Sequence, residues 1–298
     1  MDLLERIVEL KEEKNAVILA HNYQLPEIQK VADHIGDSLE LARIAVKSGA
    51  EIVLFAGVDF MAETVAILNP RKKVIVPCRD ARCPMAQQLP VEMVRRAKEE
   101  YQVPFVMYVN SYAEAKAEAD VCCTSSNAAE VVGKLDSDTI LLGPDANLAW
   151  HAAKCTGKRV VAVPGDGYCY VHKAFAWEDV LKARKRWPDA EIIVHPECDP
   201  DVQRAADFVG STSQMYSHAK KTDADIVIVG TEIGLIERMR REIDGKEFYP
   251  LREVVCRDMK KNTVEKLFEA LLKETNVVNV GREVARRARR AIKRMMEL

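Results

Sequence analysis

Cys83, Cys169 and Cys256 stand 86 and 87 residues apart, and other landmarks of the chain keep the same step. Ser38, Ser125 and Thr212 are 87 and 87 apart. Gly57, Gly143 and Gly230 are separated by 86 and 87, and Pro77, Pro164 and Pro250 by 87 and 86. A period of this size is too long for a solenoid unit and fits a small domain instead. The chain therefore reads as three copies of one domain, each closed by a cysteine. Three like domains offering one thiol each point to convergence on a shared centre, and so to a protein built around one cofactor.

Each copy runs through the same programme. A first strand (NAVILAHNY, VPFVMYVN, EIIVHPE) precedes a helical stretch and a short second strand that ends in a hydroxyl-rich turn (HIGDSLELA, DVCCTSSNAAEVV, DFVGSTSQM). A third strand follows (EIVLFAGV, DTILLGP, DIVIVGT), then a helix and a fourth strand that leads to the cysteine. The strands are continuous Val- and Ile-rich runs, as expected of parallel strands buried on both faces. Alternation with helices argues for βαβ units. The expected fold is α/β: three similar α-β-α domains with parallel sheets, in pseudo-threefold arrangement around a central site. The expected domains are 1–84 with 259–298, 85–171, and 172–258, the closing helices packing back on the first copy. Reactive side chains fall just after each strand, where open α/β sheets bind ligands.

Composition narrows the class. The 298 residues are 48% hydrophobic and 30% charged, with a net charge of −2, so nothing invites nucleic acid. The basic run GREVARRARRAIKRMMEL has apolar residues at helical spacing and reads as a solvated helix face. No apolar run approaches the ~20 residues needed to span a bilayer, and the acidic amphipathic start is unlike a signal peptide. The cytoplasm is the expected compartment, and the eight cysteines are expected to be reduced thiols, metal ligands or packing residues.

The three periodic cysteines stand alone, without the local CxxC pair of a structural zinc site. An iron–sulfur cluster accepts thiolates from distant loops. Three thiolates on a four-iron cluster leave one iron open to bind substrate as a Lewis acid. Cys78, Cys122, Cys123 and Cys155 read as packing residues, whereas Cys198 lies near the presumed cavity but outside the repeat. At the ends of the first strands stand His21, Asn22 and Tyr23, then Tyr108 and Asn110, then His195 and Glu197. Meeting in one cavity, they would supply acid–base groups, with Glu197 beside His195 as the natural proton-transfer pair. Ser38, Ser125, Ser211 and Thr212 precede or open helices, where a hydroxyl either caps the helix or helps bind an anion. Asp37 and Glu40 fit a capping box.

These residues resemble the quinolinate synthases, iron–sulfur enzymes of NAD biosynthesis. The resemblance is carried by AHNYQ at 20–24, GDSLELA at 36–42, GVDFMAE at 57–63, YVNS at 108–111, CTSSNA at 123–128, GPDANLA at 143–149, VHPEC at 194–198, GSTSQM at 210–215, GTEIG at 230–234 and CRDMKKNT at 256–263, spread over almost the whole chain. It implies condensation of iminoaspartate with dihydroxyacetone phosphate to quinolinate, phosphate and water, a transferase- or lyase-type reaction. It also implies a [4Fe-4S] cluster on Cys83, Cys169 and Cys256. The matching substrate site is His21, Tyr23, Ser38, Tyr108, Asn110, Ser125, His172, His195, Glu197 and Thr212. Within it Glu197 is expected to be the principal acid–base group, assisted by His195. Tyr23 would position or protonate the substrate, and His21 would orient it. The resemblance implies no nucleic-acid or membrane partner, and a transient contact with the iminoaspartate-producing enzyme. A monomer is expected, since one chain completes the ring. Ser213, where the family often has glycine, and Tyr170, which adds bulk beside Cys169, depart from the pattern. Two other classes remain open: a cluster-binding sensor without turnover, which needs no His195–Glu197 pair, and a cluster-free ligand-binding protein, which would tolerate Ala at all three periodic cysteines.

Overall fold

A computed structural model describes residues 2–298. The first copy runs α1 (Leu3–Glu13), β1 (Ala16–His21), α2 (Pro26–Val31), β2 (His34–Gly36), α3 (Ser38–Lys47), β3 (Ile52–Ala56), α4 (Asp59–Leu68), β4 (Lys73–Ile75) and α5 (Pro84–Gln87). The second repeats it: α6 (Val91–Tyr101), β5 (Phe105–Tyr108), α7 (Ala113–Glu118), β6 (Val121–Cys123), α8 (Ala128–Lys134), β7 (Thr139–Gly143), α9 (Ala146–Thr156), β8 (Arg159–Ala162) and a 3₁₀ turn at His172–Ala174. The third has α10 (Trp177–Arg186), β9 (Glu191–Val194), α11 (Pro200–Ala205), β10 (Phe208–Val209), α12 (Thr212–Lys221), β11 (Ile226–Gly230), α13 (Ile233–Glu242), β12 (Glu247–Pro250) and a 3₁₀ turn at Met259–Lys261. Two helices, α14 (Val264–Lys273) and α15 (Arg282–Glu297), follow.

Each copy forms a four-stranded, wholly parallel sheet in which its first strand lies between its second and third, with its fourth at the edge. This is the expected α/β architecture of three similar units. One side chain in each copy sets the pairing of the first two strands. Asp33 Oδ2 accepts the Ile18 N–H at 2.8 Å, Asp120 Oδ2 that of Phe105 at 2.8 Å, and Asp207 Oδ2 that of Ile192 at 2.7 Å. The central strands β1, β3, β5, β7, β9 and β11 are buried almost end to end. Such continuous β-branched runs have no solvent face to offer and must be covered by helices on both sides.

The copies are joined head to tail through the turn that follows each first strand. The second copy's turn docks on α4 of the first, where Tyr112 donates to Asp59 Oδ2 at 2.9 Å and Ala113 N–H to Glu63 Oε2 at 2.9 Å. The third copy's turn docks on α9, where Asn147 Nδ2 donates to the Glu197 carbonyl at 2.9 Å. The first copy's turn docks on α13, where Arg241 donates to Gln29 Oε1 at 2.8 Å. A Cβ at Gly234 would lie 3.0 Å from the Tyr23 backbone, so glycine is what lets this last junction close. The closing helices divide. α14 packs on α1 in the first copy, but α15 lies on α7 and β6 of the second. Its buried stripe of Ala288, Ala291, Ile292 and Met295 completes that copy's core. Amphipathicity gives a helix a face to bury but does not choose the partner.

Candidate active site

The ring brings eleven of the expected residues around one cavity with about 710 Å³ of empty space, part of it open to solvent. Its walls include His21, Tyr23, Ser38, Tyr108, Asn110, Ser125, His195, Glu197, Thr212, Cys83 and Cys256. His172 and Cys169 lie immediately behind: their ligating atoms and a Glu197 oxygen all fall within 4.8 Å of one another.

Glu197 is the hub. Its Oε1 accepts from Tyr108 at 2.6 Å and from Asn110 Nδ2 at 3.3 Å. His172 Nδ1 sits 2.7 Å from Oε2 but out of line for a hydrogen bond. His195 Nδ1, the expected partner, is farther away at 3.8 Å, with its ring stacked on that of His172. Burial raises the Glu197 pKa, but His195, His172 and the Tyr108 bond outweigh it, leaving the group at about 2 and ionised. Burial, reinforced by the Glu197 charge, pushes both Tyr23 and Tyr108 up, so each phenol keeps its proton.

The first and third copies treat their histidines alike. His21 Nδ1 accepts from the Tyr23 N–H at 3.2 Å, and His195 Nδ1 from the Glu197 N–H at 3.3 Å. Burial holds each imidazole at about 3, despite the nearby Glu197 carboxylate. Both are thus neutral near pH 7 with the hydrogen on Nε2, a fixed donor rather than a charged acid. A polar chain starts at His172, behind Glu197. His172 Nε2 lies 2.9 Å from Thr231 Oγ1, which lies 2.6 Å from the Tyr23 hydroxyl. Sequence reasoning gives Thr231 no role, although it lies in GTEIG directly after Gly230.

The hydroxyl turns separate two jobs that the sequence leaves joined. Asp37 caps α3 through the N–H groups of Leu39 and Glu40, and Ser211 caps α12 through Gln214. Capping therefore falls one residue earlier, leaving Ser38 and Thr212 at the cavity wall. Glu40 does not complete a box with Asp37; its Oε2 accepts from Ser213 at 2.8 Å, across to the third copy. Ser125 shares that wall with Tyr108.

Each periodic cysteine precedes a single helical turn, and the backbone N–H three residues on (Ala86 for Cys83, His172 for Cys169, Met259 for Cys256) favours its thiolate. Burial is the dominant influence on all three thiols and raises them, and Cys169 also feels Cys83 and Cys256. Soft donors from three loops, close enough to feel one another and costly to ionise without a cation, fit an iron–sulfur centre well. Tyr170 reaches across to Cys256, its hydroxyl 3.7 Å from the sulfur. Of the other cysteines, Cys122, Cys123 and Cys198 are buried, whereas Cys78 is half-buried. Cys155 is exposed on α9 rather than packed, because the helix turns that side outward.

Residues 5–297 match the family described as quinolinate synthetase A protein. The chain is 52% identical over 300 residues to the quinolinate synthase of Pyrococcus horikoshii, covering 100% of this chain and 99% of the relative. It is 51% identical to that of Methanothermobacter thermautotrophicus over 294 residues, covering 98% and 97%. For Thermotoga maritima the figures are 50% over 297 residues, with 99% of each chain covered. The chain belongs to the quinolinate synthase family. Among the quinolinate synthases it is an enzyme with the three-unit fold described above, and no described helix is long and apolar enough to cross a membrane.

Proposed function

We propose that this cavity condenses iminoaspartate with dihydroxyacetone phosphate to quinolinate, phosphate and water, in the service of NAD biosynthesis. The observation that carries the reading is the ionised Glu197, held by Tyr108 and Asn110 in the cavity onto which Cys83 and Cys256 open. Cys83, Cys169 and Cys256 would hold a [4Fe-4S] cluster whose open iron, when bound, supplies a Lewis acid to the substrate.

The side chains divide the remaining work. Glu197 accepts a C–H proton at Oε1 or Oε2 as the substrate isomerises and dehydrates. Protons for the leaving hydroxyls pass along His172, Thr231 and Tyr23, a path whose terminal phenol faces the cavity. His21 and His195 donate from Nε2 to substrate oxygens and fix their orientation. Ser38, Ser125 and Thr212, one from each copy, bind carboxylate or phosphate oxygens near helix starts. Because one chain supplies every one of these groups, we infer a monomer acting on small molecules, working in the cytoplasm.

Anaerobic purification of the wild type and of Cys83→Ala, Cys169→Ala and Cys256→Ala tests this. The wild type is expected to carry about four irons and to form quinolinate, and each variant to lose both. Variants that keep a full cluster would remove the three thiols as ligands. A wild type that holds a cluster yet forms no quinolinate would favour a sensor.

A further inference from the structure

Two residues after each periodic glycine stands a carboxylate: Asp59, Asp145 and Glu232. Each lies 24 residues ahead of its copy's periodic cysteine. In the first and third copies the fold turns that spacing into a contact. Asp59 Oδ1 accepts the Cys83 N–H at 3.2 Å and Glu232 Oε1 accepts the Cys256 N–H at 3.2 Å, whereas Asp145 Oδ2 has no hydrogen-bond partner among the described residues. The same carboxylates also accept an N–H from the helix they open: Phe60 at 2.9 Å, Leu148 at 2.6 Å and Gly234 at 2.7 Å. In the first and third copies one side chain thus ties the loop after the third strand to the loop that carries the cysteine.

Helix capping alone does not account for this set. Asp, Asn, Ser and Thr are the strong caps, and Glu is not among them. Glu232 nevertheless occupies that position and spans both loops, one oxygen on each. Glu232 is fully buried, where a neutral cap would cost less than a carboxylate, and Lys260 Nζ at 3.1 Å offsets its charge.

We propose that Asp59 and Glu232 are positioning residues that hold the backbone of Cys83 and Cys256 so that their sulfurs face the centre they share with Cys169. The proposal rests on the cluster reading given above. Partners of this kind orient metal ligands, and their loss costs about 10- to 100-fold in metal affinity.

The test compares Glu232→Ala, Glu232→Gln, Asp59→Ala and Asp59→Asn with wild type, Cys83→Ala and Thr263→Ala. The last removes the cap of α14, which bonds the Lys266 N–H and no cysteine. Three things are measured on anaerobically reconstituted protein: iron release to a chelator, the electron paramagnetic resonance signal of the reduced cluster, and thermal unfolding. Both alanine variants are expected to release iron about 10- to 100-fold faster and to show an altered signal. Glu232→Gln and Asp59→Asn still present an oxygen to the cysteine N–H and should recover most of the wild-type behaviour. Thr263→Ala should lower the unfolding temperature without changing iron release. If Glu232→Ala does not fold, Asp59→Ala, at a half-buried position, decides the matter alone. Alanine variants with wild-type release and signal, alongside a Cys83→Ala that loses its cluster, would reduce the carboxylates to helix caps. A wild type that takes up no cluster, or a Cys83→Ala that keeps a full one, would overturn the cluster reading and this proposal with it.

Discussion

The first and third copies place histidine at the end of their leading strand, with Nδ1 turned to the backbone in the same way, yet two residues later they diverge. Where the first copy has Tyr23, the third has Glu197, and the second has Asn110. The backbone of the turn is common to all three, held by a buried side chain at one position. Gln29 donates to the carbonyls of Asn22 and Gln24, Gln203 to those of Pro196 and Cys198, and Lys116 to that of Ser111. A threefold scaffold therefore serves an asymmetric reaction by keeping the turn fixed and changing what it presents. One carboxylate, one phenol and one amide meet at a centre that three identical side chains could not serve.

The sharpest way to break that comparison is to exchange roles between the copies. Glu197→Gln keeps the shape of the side chain and removes the base. Quinolinate formation should fall about 10³-fold while iron content stays at the wild-type level. Tyr23→Phe removes a single hydroxyl whose proton has Thr231 as its neighbour, and should cost about tenfold. Both are read in an anaerobic turnover assay. If Tyr23→Phe proved the more damaging, the phenol and not the carboxylate would carry the main proton transfer.

A smaller effect separates the second copy from the other two. Its clamp is a lysine, fully buried, whose charge is lowered in pKa by burial and supported by Glu63 of the first copy. Lys116→Gln gives the second copy the side chain that the other two use, but leaves Glu63 without its cation. Removing one partner of a directly paired buried ion pair costs about 3–5 kcal/mol, but Lys116 and Glu63 act on each other only through their charges. Glu63 is only half-buried and keeps its bond from the Ala113 N–H, so the expected loss is nearer ~2 kcal/mol. Chemical denaturation measures it, and the double variant Lys116→Gln/Glu63→Gln should recover at least half. No recovery would mean that the lysine acts through the Ser111 carbonyl alone.

Much of this arrangement is legible in the amino-acid sequence. The 87-residue step exposes three similar units, their cysteines and the ends of their first strands, because buried parallel strands leave long apolar runs and place reactive groups at their carboxyl ends. The carboxylates at 59, 145 and 232 keep the same register and still escape notice, since an acid at a helix start looks like an ordinary cap. Only the approach of two loops reveals that the acids at 59 and 232 also hold a cysteine. The nearer imidazole to Glu197 is likewise a matter of packing: His172 is 25 residues from Glu197 in sequence, whereas His195 is its neighbour but is held back by its own backbone bond. The destination of α15 is not written in its stripe of small apolar residues, which would fit either the first copy or the second.

A pH-dependent effect tests the likeness of the first and third copies rather than their difference. In the folded chain burial holds both His21 and His195 at about 3, against about 6.5 in the unfolded chain. Between those values the unfolded state binds protons that the folded state refuses, so stability is complete above about pH 6.5 and falls as the pH drops below it. Each histidine should contribute a slope of about 1.4 kcal/mol per pH unit in that window. His21→Gln and His195→Gln, unfolded by denaturant at a series of pH values in cluster-free protein, should each flatten the slope by the same amount, and the double variant by twice as much. Equal flattening would mean that the two copies bury their imidazoles alike. A variant that leaves the slope unchanged would mark its histidine as charged in the folded state, and that copy would then offer an acid where its counterpart offers a neutral donor.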